Sequence, residues 1–441
     1  MPTTRPTTTT PEVSTTTPEV SSTTPEVPST TPEVPSSFRY FANRGSARGQ
    51  QLLSLLGRFV RGPLALPDDV ATELGRDRAR ADPISDAFIA AAFDGNYVRD
   101  VRRLVDQALD HGIDSVANAP AELIALFEHL DTEPEWLDWD RVERGALLAR
   151  RYGLDSFYYY GLISLEGYRT EMIYKPLVLT GSYTGGTAFG RYLETCRFWL
   201  DTSEPGALRQ GGAGRKTSVT IRVMHSMIRR KVGRHPEWDA ERLGEPLSQN
   251  AQFGTISLSF LITQHAKLIG HWPTDQEVLD HMHFWRYIGH LMGIEPAFYP
   301  ETVEDWWRLI YLMLNMDDPN DGPDSRMLSQ SFVAAFGPSD RDSRADRARK
   351  AAEQRLILGW TRFFLTGETF TANQLTPPPA WRRWQPLTKL APNLRDELAR
   401  RLVPGYTQRL DRRKRTQRDA WLNRHTAGRK ARFSPVETLA R

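Results

Sequence analysis

From Ser46 onward the apolar residues return at steps of three and four. Gln50 to Val60 sets its leucines on one helical face, and Ile84 to Asp94, Val98 to His111 and Pro120 to Leu130 repeat the pattern between Asn, Gly and Pro breaks. Pro134 to Trp139 reads as a turn into a long helix through Val142 to Tyr152, and Asp275 to Leu291, Glu304 to Met316 and Gln354 to Leu365 are further amphipathic helices. Phe157 to Leu165 is uncharged and rich in tyrosine, as a buried core helix is, or the wall of a large apolar cavity. No run alternates with period two into a hairpin turn, so the expected fold class is all-α.

The two ends break this pattern. The unit TPEV recurs with its prolines at Pro11, Pro18, Pro25 and Pro32, set in Thr and Ser. Proline in every seven-residue unit forbids a continuous helix, and the apolar surface is too small to offset chain entropy, so a disordered leader is expected over residues 1–45. The helical body then spans 46–375. Residues 376–441 form a Pro-started basic tail containing RLDRRKRTQR (Arg409 to Arg418), which reads as a solvated terminal helix or, less simply, as a contact for nucleic acid or an anionic membrane.

Composition removes several functional classes. Of 441 residues, 39% are hydrophobic and 25% charged, enough for a sizeable core, and a net charge of +3 gives no global case for nucleic acid. A single cysteine, Cys196, excludes an intramolecular disulfide and a thiolate-built metal cluster. No apolar run approaches the roughly 20 residues of a bilayer span, and no basic start leads into an apolar segment. A cytoplasmic location is the expectation. Neither GxxxxGK[ST], a strand-linked GxGxxG nor GxSxG occurs, which removes the strongest support for nucleotide binding or a serine hydrolase.

Among the histidines, His281 and His283 are two residues apart and point about 200° from each other on a helix, so they cannot share an ion. His290 and Glu277 fall on other turns without a HExxH spacing, and these imidazoles are expected to be solvated or capping. His265 and His271 flank a loop and are expected at the surface.

One stretch holds chemistry. Between Gly190 and Arg230, two helical patterns flank a break made by Pro205, Gly206, Gly211, Gly212 and Gly214. Arg191, Glu194 and Thr195 sit at i, i+3 and i+4 of the first helix and share a face. On the second, Ser218, Ile221, His225 and Ile228 form a stripe, with Arg222 and Arg229 at i−3 and i+4 of the histidine. A histidine in such a stripe is a hydrogen-bonded core residue or an iron ligand. The flanking arginines are a solvated helix face, or they are placed to meet two carboxylates beside that ring.

These residues carry a resemblance. RxxxT (Arg191 to Thr195), RxxHxxxR (Arg222, His225, Arg229) and GxPLSQ (Gly244 to Gln249) together resemble the MpaB-type oxygenase family, which includes the rubber oxygenases called latex clearing proteins; the similarity spans about Ile84 to Gly337. It implies a globin-like helical core binding haem b, with His225 as the proximal iron ligand and Arg222 and Arg229 on the propionates. Arg191 and Thr195 would face dioxygen and a hydrophobic substrate, and Glu194 would act as acid or base. The implied reaction is oxidation of an unsaturated, isoprenoid or secondary-metabolite substrate, possible chemistry including cleavage of a C=C bond. The alternatives are a non-catalytic haem or hydrophobic-ligand binder and a haem-dependent dehydrogenase. Where rubber oxygenases carry a distal lysine this chain has Glu194, and with no export signal expected, a small isoprenoid suits it better than polymeric rubber.

Overall fold

The computed structural model describes residues 32–181, 188–320, 322–340, 342–365, 367–376 and 379–426; Gly185, Gly186 and the first three TPEV repeats lie outside them. Among the described residues all regular structure is helical and none is strand, as the periodicity predicts. No helix among them is long and apolar enough to cross a membrane.

The chain joins the packed body before Ser46. Tyr40 is fully buried and meets Tyr311 edge to face, while the Arg39 amide donates to the Met316 carbonyl at 2.8 Å. Arg78 lies over the Phe38 ring and pairs with Asp317 at 2.8 Å. Part of the expected leader is therefore core, because Phe38 and Tyr40 supply the apolar area that the TPEV units lack.

Three helices follow here, α1 (Tyr40–Asn43), α2 (Ala47–Leu56) and α3 (Asp68–Arg76). Next come α4 (Pro83–Asp94), α5 (Val101–His111) and α6 (Ala121–Asp131), of which α4 and α5 pack on the later helix α11. Asp82 starts α4 by accepting from the Ser85 amide, with Pro83 in the first turn. Then α7 (Trp139–Arg151), α8 (Leu154–Gly167) and α9 (Glu171–Leu179) lead to α10 (Ala188–Ser203) and α11 (Ala213–Val232).

The short α12 (Ala240–Leu243) precedes α13 (Gln249–Lys267) and α14 (Asp275–Leu291), the latter started by a Thr274–Glu277 capping box. The rest comprises α15 (Val303–Asn315), α16 (Pro323–Ala335), α17 (Arg344–Phe364), α18 (Gly367–Ala372), α19 (Leu387–Leu402) and α20 (Tyr406–Thr426). Helix α14 lies hard against α7, and a Cβ on Gly145 would stand 2.2 Å from the Asp280 carbonyl oxygen. The close approach requires glycine, although glycine costs about 1 kcal/mol relative to alanine inside a helix.

Two apolar clusters flank α10. Phe198 joins a core built from α4–α7, α11 and α13–α15, whereas Leu193, Cys196 and Leu200 join one built from α8, α16, α17 and α20. Phe157, Tyr158 and Tyr159 are buried in the second cluster, as a core helix requires.

The basic tail differs from the solvated helix expected. In α20, Leu410, Trp421 and Leu422 are buried, Arg418 is 1% exposed, and Arg415 pairs with Glu204. Arg413 meets Asp396 at 2.5 Å. Arg413, Arg415 and Arg418 meet carboxylates of α19 and of the turn after α10, pairings that spacing within the tail cannot show, while Arg409 and Arg412 are exposed.

Candidate functional site

Helices α10 and α11 form the hairpin that the Pro/Gly break predicts. Its closed end is tight: a Cβ on Gly214 would stand 2.7 Å from the Thr202 Cα. His225 lies eleven residues beyond Gly214, and Arg191 eleven residues before Thr202. At about 1.5 Å rise per residue each lies roughly 16 Å along its own helix from that closure.

On α10 the guanidinium of Arg191 donates to Glu194 Oε2 at 2.9 Å, and Thr195 Oγ1 donates to the Arg191 carbonyl at 3.0 Å. Both charged side chains are half-buried. Burial pushes the Glu194 carboxyl above the usual range, while the Arg191 charge and hydrogen bond oppose it. The three residues thus form a connected polar patch, as their shared face predicts.

On α11, His225 places Nδ1 2.8 Å from Gln252 Oε1. The Gln252 amide nitrogen donates to the Leu247 carbonyl at 2.9 Å, which turns Oε1 toward the imidazole. Nδ1 therefore donates, and Nε2 keeps its lone pair without a hydrogen-bond partner among the described residues. Burial pushes this imidazole down to about 4 against the pull of the Gln252 bond, so it is neutral at neutral pH. A fixed, neutral imidazole with an open Nε2 is the form in which histidine ligates iron. Gln252 was not singled out in the sequence. It lies 27 residues from His225, three beyond the GxPLSQ motif, and no spacing rule links them.

Arg222 and Arg229 meet carboxylates of the chain itself. Arg222 makes a bidentate pair with Asp82, Nε to Oδ2 at 2.7 Å and an Nη to Oδ1 at 2.8 Å, with both side chains at most 3% exposed. Arg229 pairs with Asp86 and donates to the Pro246 carbonyl at 3.0 Å and the Leu247 carbonyl at 3.1 Å. The carboxylates that meet these arginines belong to α4 and its cap. The pairs fix α11, and with it His225, against α4 and the turn that orients Gln252.

The other histidines depart from the solvated or surface positions expected. His271 is buried and hydrogen-bonds Asp155 at 3.3 Å. His281 bonds the Gly145 carbonyl through Nδ1 at 3.1 Å and accepts from Trp285 Nε1 at 3.2 Å; His283 accepts from the Asp138 amide at 3.1 Å. Burial holds His265, His281 and His283 at about 4. Interhelical packing of α14 buries both sides of that helix, so a two-residue spacing exposes neither ring.

A family model described as "ER-bound oxygenase mpaB/B'/Rubber oxygenase, catalytic domain" matches residues 151–430, well over half of the chain. The match begins at the last residue of α7 and takes in α19 and α20. No curated protein sequence matches. A solved structure titled "Structure of Latex Clearing Protein LCP in the closed state" aligns with a TM-score of 0.59 at 20% identity, covering 78% of this chain and 91% of that one, which is a likeness of fold.

Proposed function

As this chain belongs to the family of MpaB-type and rubber oxygenase catalytic domains, we propose that it is a haem b-dependent oxygenase that uses dioxygen on a hydrophobic, unsaturated substrate of isoprenoid or secondary-metabolite type. The observation that carries this reading is the state of His225: Nδ1 tied to Gln252, the ring neutral, and Nε2 without a hydrogen-bond partner among the described residues. When bound, the haem supplies the redox-active iron that such oxygenation requires.

The chain's own groups have separable tasks in this reading. Gln252 holds the imidazole in one tautomer and raises its basicity. Arg191 offers a fixed positive charge to oxygen atoms that gain negative charge, and Glu194 keeps that charge in place. Glu194 Oε1, free of the Arg191 contact, is where a proton is held or released. Thr195 adds a hydroxyl lone pair on the same face. Cleavage of a C=C bond with one oxygen atom entering each new carbonyl balances against one dioxygen and needs no outside reductant.

Purified protein given haem is expected to show a Soret band that is lost or displaced in His225→Ala. An unchanged band in that variant overturns the assignment. Oxygen uptake with a panel of terpenoids then tests turnover, and product masses separate cleavage from dehydrogenation.

A further inference from the structure

His290 of α14 lies against His129 of α6. Their ring centroids are 4.8 Å apart at an interplanar angle of 33°. Glu295, just past the Gly293 turn, brings Oε1 to 3.8 Å from His129 Nε2 and 3.8 Å from His290 Nδ1. One nitrogen of each ring and one carboxylate oxygen lie within 4.8 Å of one another.

Among the described residues no hydrogen bond accounts for this arrangement. His290 is 8% exposed, and Nε2 of His129 and Nε2 of His290 are both buried without a partner. An unmet buried polar atom costs about 1–3 kcal/mol, so two side by side would be stabilised by a shared ligand. Burial pushes both imidazoles down, His290 to about 3, so at neutral pH they offer lone pairs rather than positive charge. The nearby Arg222 would repel a cation, but its bidentate pairing with Asp82 neutralises it.

The three groups open onto a cavity of about 670 Å³ whose wall includes Trp136, Phe253, Arg286 and Tyr299. We propose that His129, His290 and Glu295 form a second metal site, distinct from His225, for a divalent first-row transition ion of the zinc class. Two neutral imidazoles and one carboxylate suit such ions, and leave coordination positions facing the cavity. Metal–nitrogen bonds of about 2.0–2.1 Å require the donors to draw together. Glu295, 61% exposed at the end of a turn, has the freedom to do so.

The test is equilibrium dialysis of the chelator-treated full chain against micromolar zinc, with metal counted per chain. One zinc per chain is expected in the wild type and in His225→Ala, which separates this site from the proposed haem ligand. Glu295→Gln is expected to bind at least about tenfold more weakly, since even groups that merely support a ligand contribute roughly 10–100-fold. His129→Ala and His290→Ala are expected to lose the ion while keeping wild-type helical circular dichroism. The exposed Glu295 guards against misfolding as an explanation. No zinc in the wild type, or unchanged affinity in Glu295→Gln, overturns the site.

Discussion

Gln252 holds His225 through a single 2.8 Å contact, and its own amide is fixed by the Leu247 carbonyl two residues before the start of α13. That chain of bonds decides which imidazole nitrogen is free. Gln252→Leu removes the acceptor and releases the ring, so haem affinity is expected to fall about 10–100-fold, with little loss of helix content. Gln252→Glu keeps an acceptor and adds charge, and is expected to retain haem while lowering its midpoint potential. Haem titration and spectroelectrochemistry measure both. Wild-type affinity in the leucine variant would sink the positioning role.

The Asp82–Arg222 pair makes an opposite prediction, one about stability. Both partners are almost wholly buried, so Asp82→Asn leaves the Arg222 charge uncompensated, at a cost of about 3–5 kcal/mol in denaturant unfolding. Protein that still folds is expected to keep a haem Soret band, because His225 and Gln252 are unaltered in this variant. Weakened haem binding without loss of stability would show instead that Arg222 acts on the cofactor.

Acid should weaken the fold through its buried histidines. His281 is neutral in the folded protein down to about pH 4, whereas in the unfolded chain it takes a proton near its ordinary value of about 6.5. Its folded value is the lower one, so its contribution is complete above pH 6.5 and erodes as pH falls toward 4. The slope is about 1.4 kcal/mol per pH unit for each such group. In His281→Gln, which can still donate to the Gly145 carbonyl and accept from Trp285, stability between pH 6.5 and 4 should lose one proton's worth of that slope. Equal slopes in the two proteins would refute the assignment.

Much of this was legible in the chain, and the rest was hidden for one physical reason. The helices follow from local periodicity, and the α10–α11 hairpin from its Pro/Gly break. Arg191, Glu194 and Thr195 share a face because three- and four-residue spacing is itself geometry. Partners across the fold have no such signature. Asp82 lies 140 residues from Arg222, Asp86 143 from Arg229, and Gln252 27 from His225. The tail reads as basic and solvated until Glu204 and Asp396 are brought to it. His290 finds no metal-ligand mate on its own helix, and the sequence gives no reason to look toward His129.

Glu194 is the residue whose substitution best separates binding from chemistry. Its carboxyl is pushed up by burial and held back by Arg191, so it is poised to exchange a proton closer to neutral pH than a solvated glutamate. Glu194→Gln keeps the shape and can still accept from Arg191 through its amide oxygen. The Soret band is therefore expected to be unchanged. Turnover with an accepted substrate should fall about 10²–10⁴-fold if the proton at Glu194 Oε1 moves in the rate-limiting step. The limb of the pH–rate profile set by this carboxyl should vanish with it. A variant that keeps its Soret band and turns over normally would instead make Glu194 a structural partner of Arg191, and would leave Arg191 and Thr195 as the reactive groups of this α10 face.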